Sequence, residues 1–430
     1  FDPKSTCMAG SYLHQGNLFG MTALSSLDNF SQLEQHRLIY ESLVKLTLHE
    51  VGHTLGLNHN FFASNLHSLQ NIHDRNITEP VGLTSSVMDY VSANVNKDSK
   101  HHGQFYSTTP GPYDIWAIQF GYTPPLENSL EEKMRTESLL SQSTKKEFGF
   151  GNDADDMRSP GKGIDPRVMI GDMSDDPVGY AQDRMDHVRS LYHGLRKRYE
   201  KKGESYHAFS DAISILNREY SSAATVISRY IGGVFLDRSL VGQQDRKKPF
   251  TPVPETQQKW AMTLLKKYIF SPTAFKMPEG IFDHLQWERR GFSGTNDPKI
   301  HDQFLGVQKG ILNHLLHINV VKRISDSEMY GNSYGLSAMM SDLTDACFSA
   351  DYGTNVNTVR RNLQIEYTER LIRIVQNKGK VKYDHITVSF AFDNLGKVQK
   401  YLAKIQGVDD ATKAHRKYLT YRIKKSLDLL

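Results

Sequence analysis

The chain has 430 residues, with 52 Lys and Arg against 48 Asp and Glu, so a formal charge of +4 is spread over 23% charged residues. So small an excess, without a basic block longer than three or four residues, leaves no electrostatic footprint for nucleic acid or a membrane surface, and the length admits two or three domains. With 38% hydrophobic residues, a mean hydropathy of -0.51 and no run of 18 apolar residues, no membrane span is expected.

The opening, FDPKSTCMAG, has no initiator Met, basic n-region or apolar h-region. It therefore shows no targeting signal and reads as a processed piece of something longer. Cys7 and Cys347, 340 positions apart, read as two free or independently buried thiols. Residues 1–28, punctuated by glycine, read as loops with at most one short strand. A helix signal starts at Ser31, with Glu34 at the capping-box spacing, and continues to a terminator at Gly56. Leu33, Ile39, Leu43, Leu46, Leu48, Val51 and Leu55 supply its apolar positions, which predicts one buried flank.

Residues 57–125 are rich in Asn, His, Ser, Pro and Gly and read as irregular, a length of loop that calls for a functional reason. Residues 126–147 are charged and helical in pattern. An acidic stretch punctuated by Gly and Pro ends at Pro177, where we place a structural boundary. Beyond it the pattern predicts helices over about 180–202, 207–232, 260–270, 279–289, 298–323, 336–350, 355–377, 384–405 and 409–429. The segment before residue 260 reads as a turn-rich linker, and ITVSFAF near 386–392 is strand-like in composition.

The chemical signal is HEVGHTLGLNHN, residues 49–60. His49 and His53 are one helical turn apart on one face and can share a metal. Glu50 sits beside them, and Gly56 lets the chain double back to deliver His59. Three neutral imidazoles with a fourth position left open describe a catalytic zinc site, where a zinc-activated water attacks a carbonyl and Glu50 is the general base. This spacing of His, Glu, Gly and His is the metzincin pattern.

SSVMDY, residues 85–90, follows, with Met88 placed 29 residues after His59. Met88 resembles the Met-turn methionine that lies under the zinc in metzincins, packing there without ligating. Tyr90 resembles the tyrosine that some metzincins use as a labile extra ligand or as a donor to the tetrahedral intermediate; a purely structural Tyr90 is the other reading. GPYDIWAIQFGY, residues 111–122, reads as a short helix with Asp114 at its start, either capping free N–H groups or orienting a zinc-ligating histidine. Asp153, Asp155, Asp156, Asp165, Asp172, Asp175 and Asp176 form an acidic concentration, read either as a solvated, salt-bridged loop or as a calcium site. His101 and His102 lack a metal spacing and read as polar loop residues.

Together, LHEVGHTLGLNHNF, SSVMDY, GPYDIWAIQFGY, the IDPRV and DMSDDPV segments and the long helical tail resemble the bacterial zinc-dependent metalloproteases of the Met-zincin family. That resemblance implies an α+β protein, predominantly α in this chain. Residues 1–177 would be a metzincin-like zinc protease core and residues 178–430 a mainly α-helical domain supplying no metal ligand. It implies zinc as cofactor, a protein or peptide substrate, and a periplasmic, outer-envelope or extracellular location. Only 48 residues precede His49, so much of the N-terminal sheet that such cores place before the zinc helix is expected on a missing part of the same precursor. Alternatives are an exopeptidase, or an inactive zinc-binding pseudoprotease or protein- or glycan-binding module.

Overall fold

A computed structural model of the chain describes residues 7–26, 31–98, 103–155, 161–287, 297–380 and 382–428. The protein is predominantly helical, and the strands among the described residues form one small antiparallel pair. The first helix, α1 (Ala9–Ser25), occupies the segment expected to be loops. Gly16 and Gly20 are close-approach points: a Cβ at Gly20 would come within 2.7 Å of Leu38 on the next helix.

That helix, α2 (Gln32–Thr54), starts after Ser31 as expected, but the Ser31 side chain makes no cap hydrogen bond and Glu34 pairs with Arg37 at 2.7 Å. Its buried face corrects the expectation. Leu38, Glu41, Ser42, Lys45, His49 and Gly52 face inward, while Leu33, Leu43 and Val51 are 73%, 59% and 47% exposed. The stripe has the helical period, but it is polar, because this face is built to hold specific partners.

Residues 57–125 are largely irregular, as expected, interrupted by α3 (Arg75–Val81) and α4 (Pro112–Tyr122). The charged segment forms α5 (Ser129–Ser141), capped by Asn128. Helix α6 (Pro177–Leu191) starts with Pro at its first position and Asp176 accepting the Gly179 N–H. It stops before α7 (Leu195–Tyr199), so the expected 180–202 helix is broken at residues 192–194. Helix α8 (His207–Arg229) buries Phe209, Ile213, Leu216, Tyr220, Ala224 and Ile227.

The linker holds β1 (Val234–Leu236) and β2 (Phe250–Pro252), paired with Phe235 opposite Thr251. Helix α9 (Glu255–Leu265) runs on into a wider turn over Lys266–Phe270. Of the helix expected over 279–289, a single 3-10 turn at Phe282–His284 is present; residues 288 and 289 lie outside the described residues. The long 298–323 helix is split into α10 (Ile300–Leu315) and α11 (Ile318–Ser327), because His317 turns extended and its Nδ1 accepts the Asn319 N–H. Helices α12 (Leu336–Phe348), α13 (Thr358–Gln376), α14 (His385–Leu402) and α15 (Asp410–Leu427) follow. The strand-like ITVSFAF is helical in α14, started by Asp384 accepting the Thr387 N–H.

One apolar cluster crosses residue 177. Leu13, Phe19, Leu24 and Leu38 join Met185, Phe209, Leu216 and Leu343, so α1 rests directly on α8 and α2 packs on α1 within the same core. Helix α2 is thereby held as a fixed beam carrying the histidines. No helix among the described residues is long and apolar enough to cross a membrane.

Candidate metal centre

The buried face of α2 is wired to the loops beyond it. The Glu41 carboxylate accepts the Phe105 and Tyr106 N–H groups at 2.6 and 3.2 Å; burial pushes its carboxyl up, and those two bonds partly offset the rise. One turn on, the Lys45 ammonium donates to the Val87 carbonyl at 2.7 Å. Burial lowers the Lys45 pKa, against the pull of Asp89 and Asp114. His49 follows on the same stripe and donates from Nδ1 to the same Val87 carbonyl at 2.8 Å.

The other two histidines are held in the same manner. His53 Nδ1 lies 3.0 Å from the Leu57 carbonyl and His59 Nδ1 2.5 Å from Asp153 Oδ2. The reversal that delivers His59 is where the sequence places it: Gly56 has φ +84°, and the Leu57 N–H reaches back to Gly52 O at 3.0 Å. With each Nδ1 proton engaged by an oxygen, the free lone pair of every ring is on Nε2. The rings cluster with centroids 4.8, 4.9 and 5.4 Å apart. Burial, and then the Lys45 ammonium, pull the His49 pKa down to about 3, which keeps that ring neutral as a ligand must be.

Cys7 is the fourth member of the group. One ligand atom from each of Cys7, His49, His53 and His59 lies within 4.8 Å of every other, the one such cluster of His, Cys, Asp or Glu among the described residues. The donor set, three neutral imidazole nitrogens and a sulfur, suits zinc. Cys7 had no spacing signal in the sequence, since it approaches from the segment ahead of α1 and not from the motif. Asp153 was visible there as one more acidic residue, not as the partner of His59.

Met88 is fully buried, and its thioether packs so close to α2 that a Cβ at Gly52 would sit 2.4 Å from Sδ. The turn that carries it is tied by Asp114, whose carboxylate accepts the Ser86 hydroxyl (2.5 Å) and the Val87 (2.8 Å) and Gly111 (2.9 Å) N–H groups. Asp114 therefore caps α4 and grips the loop at once, and reaches His49 only through the Val87 peptide. Asp89 fixes the next residues by accepting the Ser64 and Tyr90 N–H groups. Tyr90 brings its hydroxyl to 2.8 Å from His59 Nε2, and the Met8 N–H donates to that oxygen at 3.0 Å. Burial is the main cause of its phenol pKa being raised. Glu50 is exposed, with Oε1 3.5 Å from Cys7 Sγ.

A family model described as Met-zincin matches residues 31–355. The chain belongs to the Met-zincin family. The match takes in all three histidines of this Met-zincin and much of its helical region, while Cys7 and α1 precede it. No curated protein and no solved structure matches the chain.

Among the described residues the acidic stretch forms no group close enough to hold a metal ion. Asp155 pairs with Arg238, Asp165 with Arg167 and Asp175 with Lys146, while Asp176 caps α6. Asp156, His101 and His102 lie outside the described residues.

Proposed function

We propose that this chain is a zinc-dependent endopeptidase, with Nε2 of His49, His53 and His59 as the histidine ligands. The observation that carries this reading is that all three rings are fixed through Nδ1 by an oxygen acceptor, the arrangement that ligating histidines adopt. When bound, zinc supplies a Lewis acid that polarises a peptide carbonyl and brings the pKa of a water toward ~7.

The chain's own groups do the rest. Glu50 takes a proton onto its carboxylate from the attacking water and returns it to the leaving amine. Tyr90 offers its hydroxyl to the oxygen on which negative charge develops. Asp153 and the Val87 and Leu57 carbonyls are positioning groups that keep the three rings aimed. Met88 serves as the Met-turn residue, filling the floor against Gly52. The exposed apolar flank of α2, including Leu43 and Val51, supports the reading that an upstream sheet of the precursor, or a substrate strand, lies along this helix. The family resemblance supports a periplasmic, outer-envelope or extracellular setting.

Elemental analysis tests the ligand assignment. About one zinc per chain is expected in the wild type, with a large loss in His59→Ala. Equal, tight retention in both would overturn it.

A further inference from the structure

The chain-wide excess of +4 conceals a partition. Residues 358–430, which include α13, α14 and α15, carry 16 Lys and Arg against 7 Asp and Glu, a formal +9, while the residues before them carry 36 against 41, a formal -5. No basic block marks this, because the cations are spaced along helices. Arg360 and Arg416 are buried, where they donate to Asp351 and to backbone carbonyls, but most of the others face outward. On α15, Lys417, Tyr418, Tyr421, Lys424 and Lys425 recur at helical spacing on the exposed side. The two tyrosines are 47% and 58% exposed, and Lys425 Nζ stands 5.8 Å from the centre of the Tyr421 ring. Among the described residues no carboxylate pairs with these three lysines. Arg422 ties the same helix to Glu369 of α13 through two 2.7 Å bonds. One turn from Glu369, the Glu366 carboxylate is shared by Arg370 at 2.8 Å, Lys309 at 3.5 Å and Arg373 at 3.7 Å, and with the exposed Lys378 these line a hollow of about 680 Å³. One carboxylate does not neutralise so many cations, so the hollow keeps a positive excess.

We propose that this face of α13 and α15 docks the protein on a bilayer surface rich in anionic phospholipid. Charge complementarity selects a polyanion, the footprint that the chain-wide average does not show. Shape selects a plane, because the outward side of a helix is convex and offers no channel for a nucleic-acid strand to follow. Tyrosines set between lysines suit the headgroup boundary: the phenol keeps its hydroxyl wet and its ring in the apolar layer, while the lysine stems lie along that layer with their ammonium groups at the phosphates. The hollow beside Glu366 takes one phosphate-bearing headgroup. A second copy of the chain is a poorer fit, since acidic residues elsewhere are engaged in internal pairs such as Asp155 with Arg238 and Asp175 with Lys146. Helices α13, α14 and α15 pack on one another and on α10 and α12, whereas the histidine-bearing α2 packs on α1, so the docking face and the metal centre are built from separate elements.

Co-sedimentation of the full chain with lipid vesicles tests this. Binding is expected to vesicles of phosphatidylcholine with about one-third phosphatidylglycerol and not to phosphatidylcholine alone, and it should weaken as salt rises from about 0.05 to about 0.5 M. The combined change Lys417→Gln, Lys424→Gln and Lys425→Gln should weaken it about 100-fold, roughly fivefold per lysine. The combined change Lys197→Gln, Lys201→Gln and Lys202→Gln alters net charge equally and should leave binding within about twofold. All six lysines are exposed, so neither variant removes a core contact. Equal weakening in both variants would reduce the effect to net charge and overturn the assignment to this face. Absence of binding to the anionic vesicles would overturn the proposal, and so would binding of single-stranded DNA, or a salt-sensitive dimer dependent on the same α15 lysines, in place of vesicle binding.

Discussion

Helices α2 and α8 are both 23 residues long, and they bury opposite kinds of surface. Helix α8 turns a stripe of Phe, Ile, Leu, Tyr and Ala inward and is held by non-directional burial. Helix α2 turns Glu41, Ser42, Lys45 and His49 inward below a single core leucine, and leaves Leu33, Tyr40, Leu43 and Val51 exposed. Each buried polar group needs a partner at a set distance, and leaving one unpaired costs about 1–3 kcal/mol. A helix anchored in this manner can be seated in one rotation, because turning it would orphan several groups at once. That is the property a metal-bearing helix needs, and one that an apolar stripe alone does not supply.

The contrast is broken or sharpened most strongly by a matched pair of truncations. Leu216→Ala in α8 removes a fully buried side chain and should cost about 2–5 kcal/mol, read from urea midpoints. Leu43→Ala, in the exposed flank of α2, should change stability by no more than about 0.5 kcal/mol. Equal losses would show that the α2 flank is covered in the protein as measured, and that the polar face is not what chiefly seats the helix.

A smaller effect sharpens the comparison from the helical side, which has a buried histidine of its own. His415 on α15 lies with Nε2 2.8 Å from Gln364 Oε1, and burial, then Arg361 and Arg416, lower its pKa from 6.5 to about 4. The unfolded chain binds this proton near pH 6.5 and the folded one only near pH 4, so the stabilisation is present in full above pH 6.5. It should be lost as pH falls toward 4, by at most about 3 kcal/mol. Unfolding curves of wild type and His415→Gln across that range check the sign; a wild type no more acid-sensitive than the variant would contradict it.

These differences mark what the sequence could convey. The helices of the C-terminal part were legible because apolar residues recur at the helical period, and the start of α6 at Pro177 because Asp-Pro marks a helix start. The break at His317 was not, since the apolar stripe runs unbroken through it and only a side chain accepting the Asn319 N–H stops the helix. Helix α1 was hidden by glycines that read as turns, although Gly20 serves close packing against Leu38 of α2 and Gly16 against Tyr106. At the metal centre, His49, His53 and His59 were legible because spacing along one helix and one reversal brings them together. Cys7, Lys45 and Asp153 were not, because their partners lie 42, 42 and 94 positions away and no local pattern records a contact of that span.

The central claim is that the three rings hold a catalytic zinc with Glu50 as its base. The most direct measurement is cleavage of an unstructured protein substrate by zinc-loaded wild type and Glu50→Gln, with the zinc content of each determined alongside. Glu50 contributes no ring nitrogen, so zinc should be retained in the variant while turnover falls by ~10²–10⁴-fold or more, as expected when a positioned acid–base group is removed. Undiminished turnover in Glu50→Gln at equal zinc content would contradict the account.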